Sequence, residues 1–151
     1  MRITTYTTRL DGDRITGLVK ESAKNYEGSR IMDSPESAAA IFESVFDLSN
    51  RTQELFCMAA LGGGREVKGV FEITRGTLTS SLVHPREVFA PAMLAGAASI
   101  IVVHNHPSGF LNISEQDREV SRTIKQAGEL LGIRLDDHLV IGADGSFASA
   151  M

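Results

Sequence analysis

Ser99-Ile100-Ile101-Val102-Val103 is β-branched almost throughout and carries no charge. Such side chains suit a pleated strand, and apolar residues at both parities mean that both faces of that strand are buried. A doubly buried strand needs a layer of structure on each side. The rest of the chain supplies the material, and the pieces add up to an α/β fold: a single-domain mixed β-sheet flanked by helices.

The first twenty residues, rich in Thr and broken at Asp11-Gly12-Asp13, predict a β-hairpin or a pair of extended segments. Ser34-Pro35-Glu36 predicts a helix start, with Ser as N-cap, Pro in the first turn and an acid facing the dipole. That helix runs to about Ser49, burying Ala38, Ile41, Phe42, Val45 and Phe46 and leaving Glu36, Glu43 and Ser44 to water. Runs 55–61 and 67–74 read as strands joined by the flexible turn Gly62-Gly63-Gly64-Arg65. A helical repeat from Pro85, through Val88, Phe89, Met93 and Leu94, is interrupted by Pro91. After the buried strand comes a loop, then a helix from Glu115 to about Leu131, capped by Ser114 and stopped by Gly132. A last hairpin over about 133–141 and 146–149 closes the sheet.

The 151 residues are enough for one substantial core, and 42% hydrophobic content fits a folded domain. A net charge of −4, with no block of Lys or Arg, argues against nucleic acid as a partner. No apolar stretch approaches the ~20 residues that span a bilayer, and the N-terminus lacks the apolar core of a signal peptide, so a cytoplasmic protein is expected. The lone Cys57 cannot build a thiolate-rich zinc site or supply the Cys-x-x-Cys of a zinc deaminase. Any metal must therefore rely on His and carboxylate ligands. Cys57 itself, mid-strand, reads as a small buried hydrophobe.

His104-Asn105-His106-Pro107-Ser108-Gly109 follows the buried strand directly. In extended backbone residues i and i+2 point the same way, so His104 and His106 can present both imidazoles to one point. Pro107 and Gly109 turn the chain, and the first turn of the next helix can bring Asp117 over that point. Two nitrogens and one carboxylate oxygen leave a fourth tetrahedral position for water, as in a catalytic zinc site. Each part has a plainer reading. A His-x-His pair alone is a weak signal, and Ser114-Glu115-Gln116-Asp117 is also a helix capping box. The combination within fourteen residues outweighs its parts.

The spacing His-x-His, seven residues, Ser-x-x-Asp at His104, His106, Ser114 and Asp117 resembles the JAMM/MPN+ metallohydrolase signature. Gly76-Thr77-Leu78, His84-Pro85-Arg86-Glu87-Val88-Phe89, His104 to Gly109 and Leu135-Asp136-Asp137-His138 are similar to its RadC branch. The resemblance covers about Glu54 to Ser149. It implies the JAB/MPN (cytidine-deaminase-like) fold over residues 51–151, with residues 1–50 an N-terminal extension whose hairpin and helix pack on that core. It further implies that His104, His106 and Asp117 bind Zn2+, that Ser114 hydrogen-bonds the developing oxyanion, and that Glu54 acts as general base, with Glu72 the rival. A metallopeptidase or isopeptidase acting on a peptide or protein is the activity implied. Asp137 and His138 can orient a ligand imidazole, or form a satisfied pair on a strand. His84 precedes or caps its helix and takes no catalytic role.

Two departures bear on substrate shape. The loop Phe110-Leu111-Asn112-Ile113 lacks the prolines usual in the RadC branch, and Asp136 stands where an apolar residue is usual. Long RadC proteins carry a helix-hairpin-helix region with no counterpart in these 151 residues. The family name also keeps open a second reading, a non-catalytic or DNA-associated interaction module that retains the site. The string His-Asn-His is not an HNH nuclease motif, whose three residues lie far apart in sequence.

Overall fold

Asp11 organises the first turn of the chain in the computed structural model, which describes residues 2–78 and 82–151. Its Oδ1 accepts hydrogen bonds from the amides of Asp13 and Ile15, at 2.8 and 3.0 Å. The turn joins β1 (Arg2–Leu10) to β2 (Thr16–Asn25) in an antiparallel hairpin that runs beyond the twenty residues predicted. The helix α1 (Pro35–Phe46) begins as Ser34 predicts. Ser34 Oγ accepts from the Ser37 amide, and Ser37 Oγ accepts from the Ser34 amide, each at 3.1 Å. It stops short of Ser49 because Asp47 enters the left-handed region (φ 52) and the chain tightens into a 3-10 turn over Leu48–Asn50. Glu43, expected in water, is half-buried and accepts from the amide of Ser49 at 3.1 Å and from its hydroxyl.

The hairpin of β3 (Leu55–Leu61) and β4 (Val67–Arg75) forms around the glycine-rich turn. Next, α2 (Pro85–Leu94) runs through Pro91, which is buried, so the helix lacks one amide donor there without ending. Its buried face is Val88, Phe89, Pro91 and Ala92, whereas Met93 and Leu94 are about half exposed, because at helical spacing they fall round the helix from Val88 and Ala92. β5 (Ser99–Asn105), α3 (Glu115–Leu131), β6 (Arg134–Ile141) and β7 (Phe147–Ser149) complete the order.

Among the described residues the seven strands form one mixed sheet, ordered β2-β1-β4-β3-β5-β6-β7. β5 lies antiparallel to β3 and parallel to β6, and every residue in it is buried. Ile101 and Val103 face the α1 side, among Ile41, Phe42, Val45 and Cys57. Ile100 and Val102 face the other side, among Phe56, Met58, Val88, Phe89, Val120 and Ile124 of α2, α3 and β3. Two apolar layers thus explain why the run carries no alternation. β1 joins parallel to β4, at Thr5 opposite Val70, so the first hairpin continues the same sheet. Among the described residues no helix is long and apolar enough to cross a membrane.

Candidate metal centre

The alternation of β5 decides which way its last residues look. His104 has the parity of Ile100 and Val102, so it faces α3, and its ring is fully buried. His106, just beyond the strand, shares that parity. The turn after it is held by backbone bonds from the His106 amide to Ile141 O (2.8 Å), from Gly109 to His106 O (2.9 Å) and from Ala143 to Gly109 O (3.0 Å). Gly109 takes a φ of +86 that a side chain would resist, and the reversal carries the chain back to the start of α3.

At that start the capping box and the ligand reading coincide. Ser114 Oγ accepts from the Asp117 amide at 3.0 Å, and Asp117 Oδ2 accepts from the Ser114 amide at 2.9 Å. The box aims the same carboxylate at the two rings. Asp117 Oδ1 lies 3.1 Å from His104 Nε2, Oδ2 lies 3.3 Å from His106 Nε2, and the two Nε2 atoms are 3.1 Å apart. Burial raises the Asp117 carboxyl pKa, but the neighbouring His104 and the hydrogen bonds from Ser114 outweigh it and hold the group well below the usual carboxylate range.

His106 Nδ1 is 3.0 Å from the carbonyl oxygen of Phe110. A carbonyl only accepts, so the proton of neutral His106 sits on Nδ1 and its Nε2 is a bare lone pair. At most one proton, on His104 Nε2, is then left for three mutual contacts among acceptors. His104, His106 and Asp117 therefore form a group that can hold a metal ion, closely spaced and largely buried.

The remaining sequence candidates fall in different places. Glu54 precedes β3 and has the parity of Phe56, which pairs with His104 and stacks on its ring. Its Oε2 accepts from the Leu78 amide at 2.5 Å, and it borders a cleft shared with Gly76, Thr77 and Pro107, the residue after His106. Glu72 lies opposite Cys57, whose side chain belongs to the α1 face, and is held by Arg75 at 2.7 Å. It is thus directed away from the histidines. His84 is the N-cap of α2 without a side-chain cap bond. Asp137 Oδ1 accepts from the His138 amide at 2.8 Å and the Ser149 hydroxyl at 2.7 Å, whereas His138 itself reaches the site, with Nε2 2.9 Å from His104 Nδ1. Burial and the adjoining His104 and His106 rings, against the opposing pull of Asp117, push His138 down to about 3, so it is neutral near pH 7.

Two contributors escaped the sequence reading. Asn105, between the histidines, points to the other face. Its Oδ1 accepts from the Leu55 amide at 2.7 Å and its Nδ2 donates to Gln53 O at 3.0 Å, pinning the backbone on both sides of Glu54. Ser121 sets its hydroxyl 2.5 Å from His138 Nδ1. Its signal was its place four residues after Asp117, one turn along the same helix face.

A mixed sheet whose central strand delivers two histidines to a first-turn aspartate of the next helix defines an α/β domain with a candidate His-His-Asp metal centre. The comparisons with known proteins give the family: residues 32–151 match the one described as RadC-like JAB domain, and the chain belongs to it. Relatives carry the name UPF0758 protein. One from Trichlorobacter lovleyi is 42% identical over 114 residues, covering 75% of this chain and 49% of the relative. One from Geobacter sulfurreducens is 38% identical over 135 residues (85% and 58%), and one from Methanospirillum hungatei 51% over 96 residues (64% and 43%). The chain spans about half the length of these relatives.

Proposed function

We propose that the site is that of a zinc-dependent hydrolase of amide bonds, acting on a peptide or protein substrate. One observation carries the reading. The His104 and His106 Nε2 atoms stand 3.1 Å apart, and each lies 3.1 to 3.3 Å from one of the two Asp117 carboxylate oxygens. Donors around a tetrahedral ion with bonds of ~2.0–2.1 Å are separated by about 3.3 Å, so the two nitrogens stand close to the spacing zinc requires, with a carboxylate oxygen near enough to complete the set. Two nitrogens and one oxygen also match the donor set of catalytic zinc sites, which keep one position open.

Zinc bound there supplies polarisation of a substrate carbonyl and a lowered pKa for a water molecule. The protein's own groups do the rest. Glu54, on the histidine side of the sheet, accepts a proton from the attacking water and delivers it to the departing amine. The Leu78 amide keeps the carboxylate in place. Ser114 Oγ already accepts from the Asp117 amide, so its own hydrogen remains for the substrate oxygen as negative charge develops on it.

The first test is elemental analysis of the protein purified without added metal or chelator, beside Asp117→Ala. Near-stoichiometric zinc in the wild type and little in the variant is expected. Failure of the wild type to take up supplied zinc leaves Asp117 as a capping residue only and removes the proposal. With zinc established, Glu54→Gln should retain the metal and lose at least about 100-fold in turnover of a fluorogenic peptide panel. Unchanged turnover would sink the role given to Glu54.

A further inference from the structure

We propose that Ser121 is a positioning residue that, through His138, fixes which nitrogen of His104 carries its proton and so keeps the His104 Nε2 lone pair free for a metal ion. The inference rests on the metal-site reading above and concerns a chain of contacts that continues behind the ligands.

The chain runs inward from the ligands. His104 Nδ1 lies 2.9 Å from His138 Nε2, and His138 Nδ1 lies 2.5 Å from Ser121 Oγ. Ser121 Oγ in turn donates to the carbonyl oxygen of Ala150 at 3.1 Å. His104 and His138 are fully buried, and Ser121 and Ala150 nearly so, the last two lining a pocket at the surface with Arg118 and Arg122. Ala150 is itself held by its amide, which donates to His138 O at 2.7 Å.

Proton counting orders the chain. A carbonyl only accepts and a hydroxyl has one hydrogen, so that hydrogen goes to Ala150. Ser121 Oγ must then accept from His138 Nδ1–H. A neutral imidazole has one ring proton, which leaves His138 Nε2 as an acceptor, and His104 donates to it from Nδ1. His104 Nε2 is left bare, facing Asp117 and His106.

The reverse order has the same number of protons. Ser121 would donate to His138 Nδ1, His138 Nε2 to His104 Nδ1, and His104 Nε2–H would point at Asp117, where a metal ion would bind. That order makes a charge-assisted bond to Asp117 but strips the Ala150 carbonyl of the Ser121 donor and covers the lone pair that a metal ion needs. The Ala150 carbonyl, read through Ser121, therefore opposes the pull of Asp117 on the His104 proton and favours the tautomer that a metal ion can use. Asp117 and Ser121, one turn apart on α3, act on the same imidazole from its two nitrogens.

The test measures zinc affinity by competition with a chromophoric chelator for wild type, Ser121→Ala and Ser121→Thr. It is paired with long-range 1H–15N spectra of the imidazoles in the zinc-free protein. Ser121→Ala should weaken zinc binding by about 10- to 100-fold, and Ser121→Thr, which keeps the hydroxyl, should recover most of it. The zinc-free wild type should show His138 and His104 both protonated at Nδ1. A merely structural Ser121 would alter melting without moving affinity or tautomer. Protonation of both rings at Nε2 in the wild type overturns the inference, and this reading holds even if Ser121→Ala does not fold. Equal zinc affinity in wild type and Ser121→Ala overturns it while leaving the metal site standing, whereas no zinc uptake by wild type removes both.

Discussion

The residue between the two histidines does as much to build the site as its neighbours do to fill it. Asn105 ties the Leu55 amide and the Gln53 carbonyl to the end of β5, and these flank Glu54. Asn105→Ala leaves a buried amide without a partner, which costs about 1–3 kcal/mol in a urea melt. Glu54 should then be poorly placed, so turnover falls while bound zinc is retained. His138 gives the metal-free protein a pH signature. Its ordinary value is 6.5 and its folded value about 3, so between those limits the unfolded chain binds more protons than the folded one. Its contribution to stability is fully present above about pH 6.5 and is lost as pH falls, with a slope of about 1.4 kcal/mol per pH unit. Denaturant midpoints between pH 7 and pH 5, where few carboxylates titrate, measure it; a flat profile would contradict the assignment. Asp117, held low, adds stability that is lost only in stronger acid.

At the scale of elements, α3 is the piece whose seat matters most, because it carries Ser114, Asp117 and Ser121 along one face. Its far end is set by Gly128. A Cβ there would lie 2.2 Å from the Ile133 carbonyl oxygen and 3.3 Å from the Phe89 ring. Backbone cannot yield as a flexible side chain can, so Gly128→Ala should destabilise by about 1–3 kcal/mol. A urea midpoint equal to that of the wild type would show that the helix can shift without penalty. On the opposite face of the sheet, Cys57 is buried in β3, and burial together with nearby Glu72 raises its thiol well above the ordinary value. It should resist alkylating reagents at pH 8 and react only on unfolding, which a time course with and without denaturant would show.

The whole molecule divides its work across the sheet. The candidate centre lies where β3, β5, β6 and α3 meet, and the β1–β2 hairpin lies at the opposite edge, beyond β4. Deleting residues 2–25 should lower Tm by roughly 5–10 °C, since it exposes the β4 edge and the Thr5–Val70 pairing is lost, yet zinc uptake should be unchanged. Loss of zinc uptake in a variant that still melts cooperatively would mean that the hairpin supports the centre after all.

Local rules were enough for much of this. Ser34 and Ser114 announced two helix starts because capping is decided within three residues, and the uninterrupted run before His104 announced a doubly covered strand because burial on both faces leaves no alternation. The His104, His106 and Asp117 group was legible for the same reason. Its three members lie on one strand end, one turn and one helix start, so their convergence depends mainly on short-range geometry. What depended on pairing between distant segments was not legible. The end of α1 was decided by Asp47 and Glu43 together with the turn that follows, and the separation of Glu54 from Glu72 by the β3 register and its bulge. Asn105, Ser121 and Ala150 took on their roles only when β3, α3 and β7 were brought against β5 and β6. A hydrogen bond across 17 to 52 residues has no local signature. The sequence by itself determined the helix starts, the central strand and the spacing of the candidate His104, His106 and Asp117 group, through propensity and local geometry. The tertiary structure alone decided the register, the face each side chain takes and the chain of contacts behind His104, because these are properties of segments in contact.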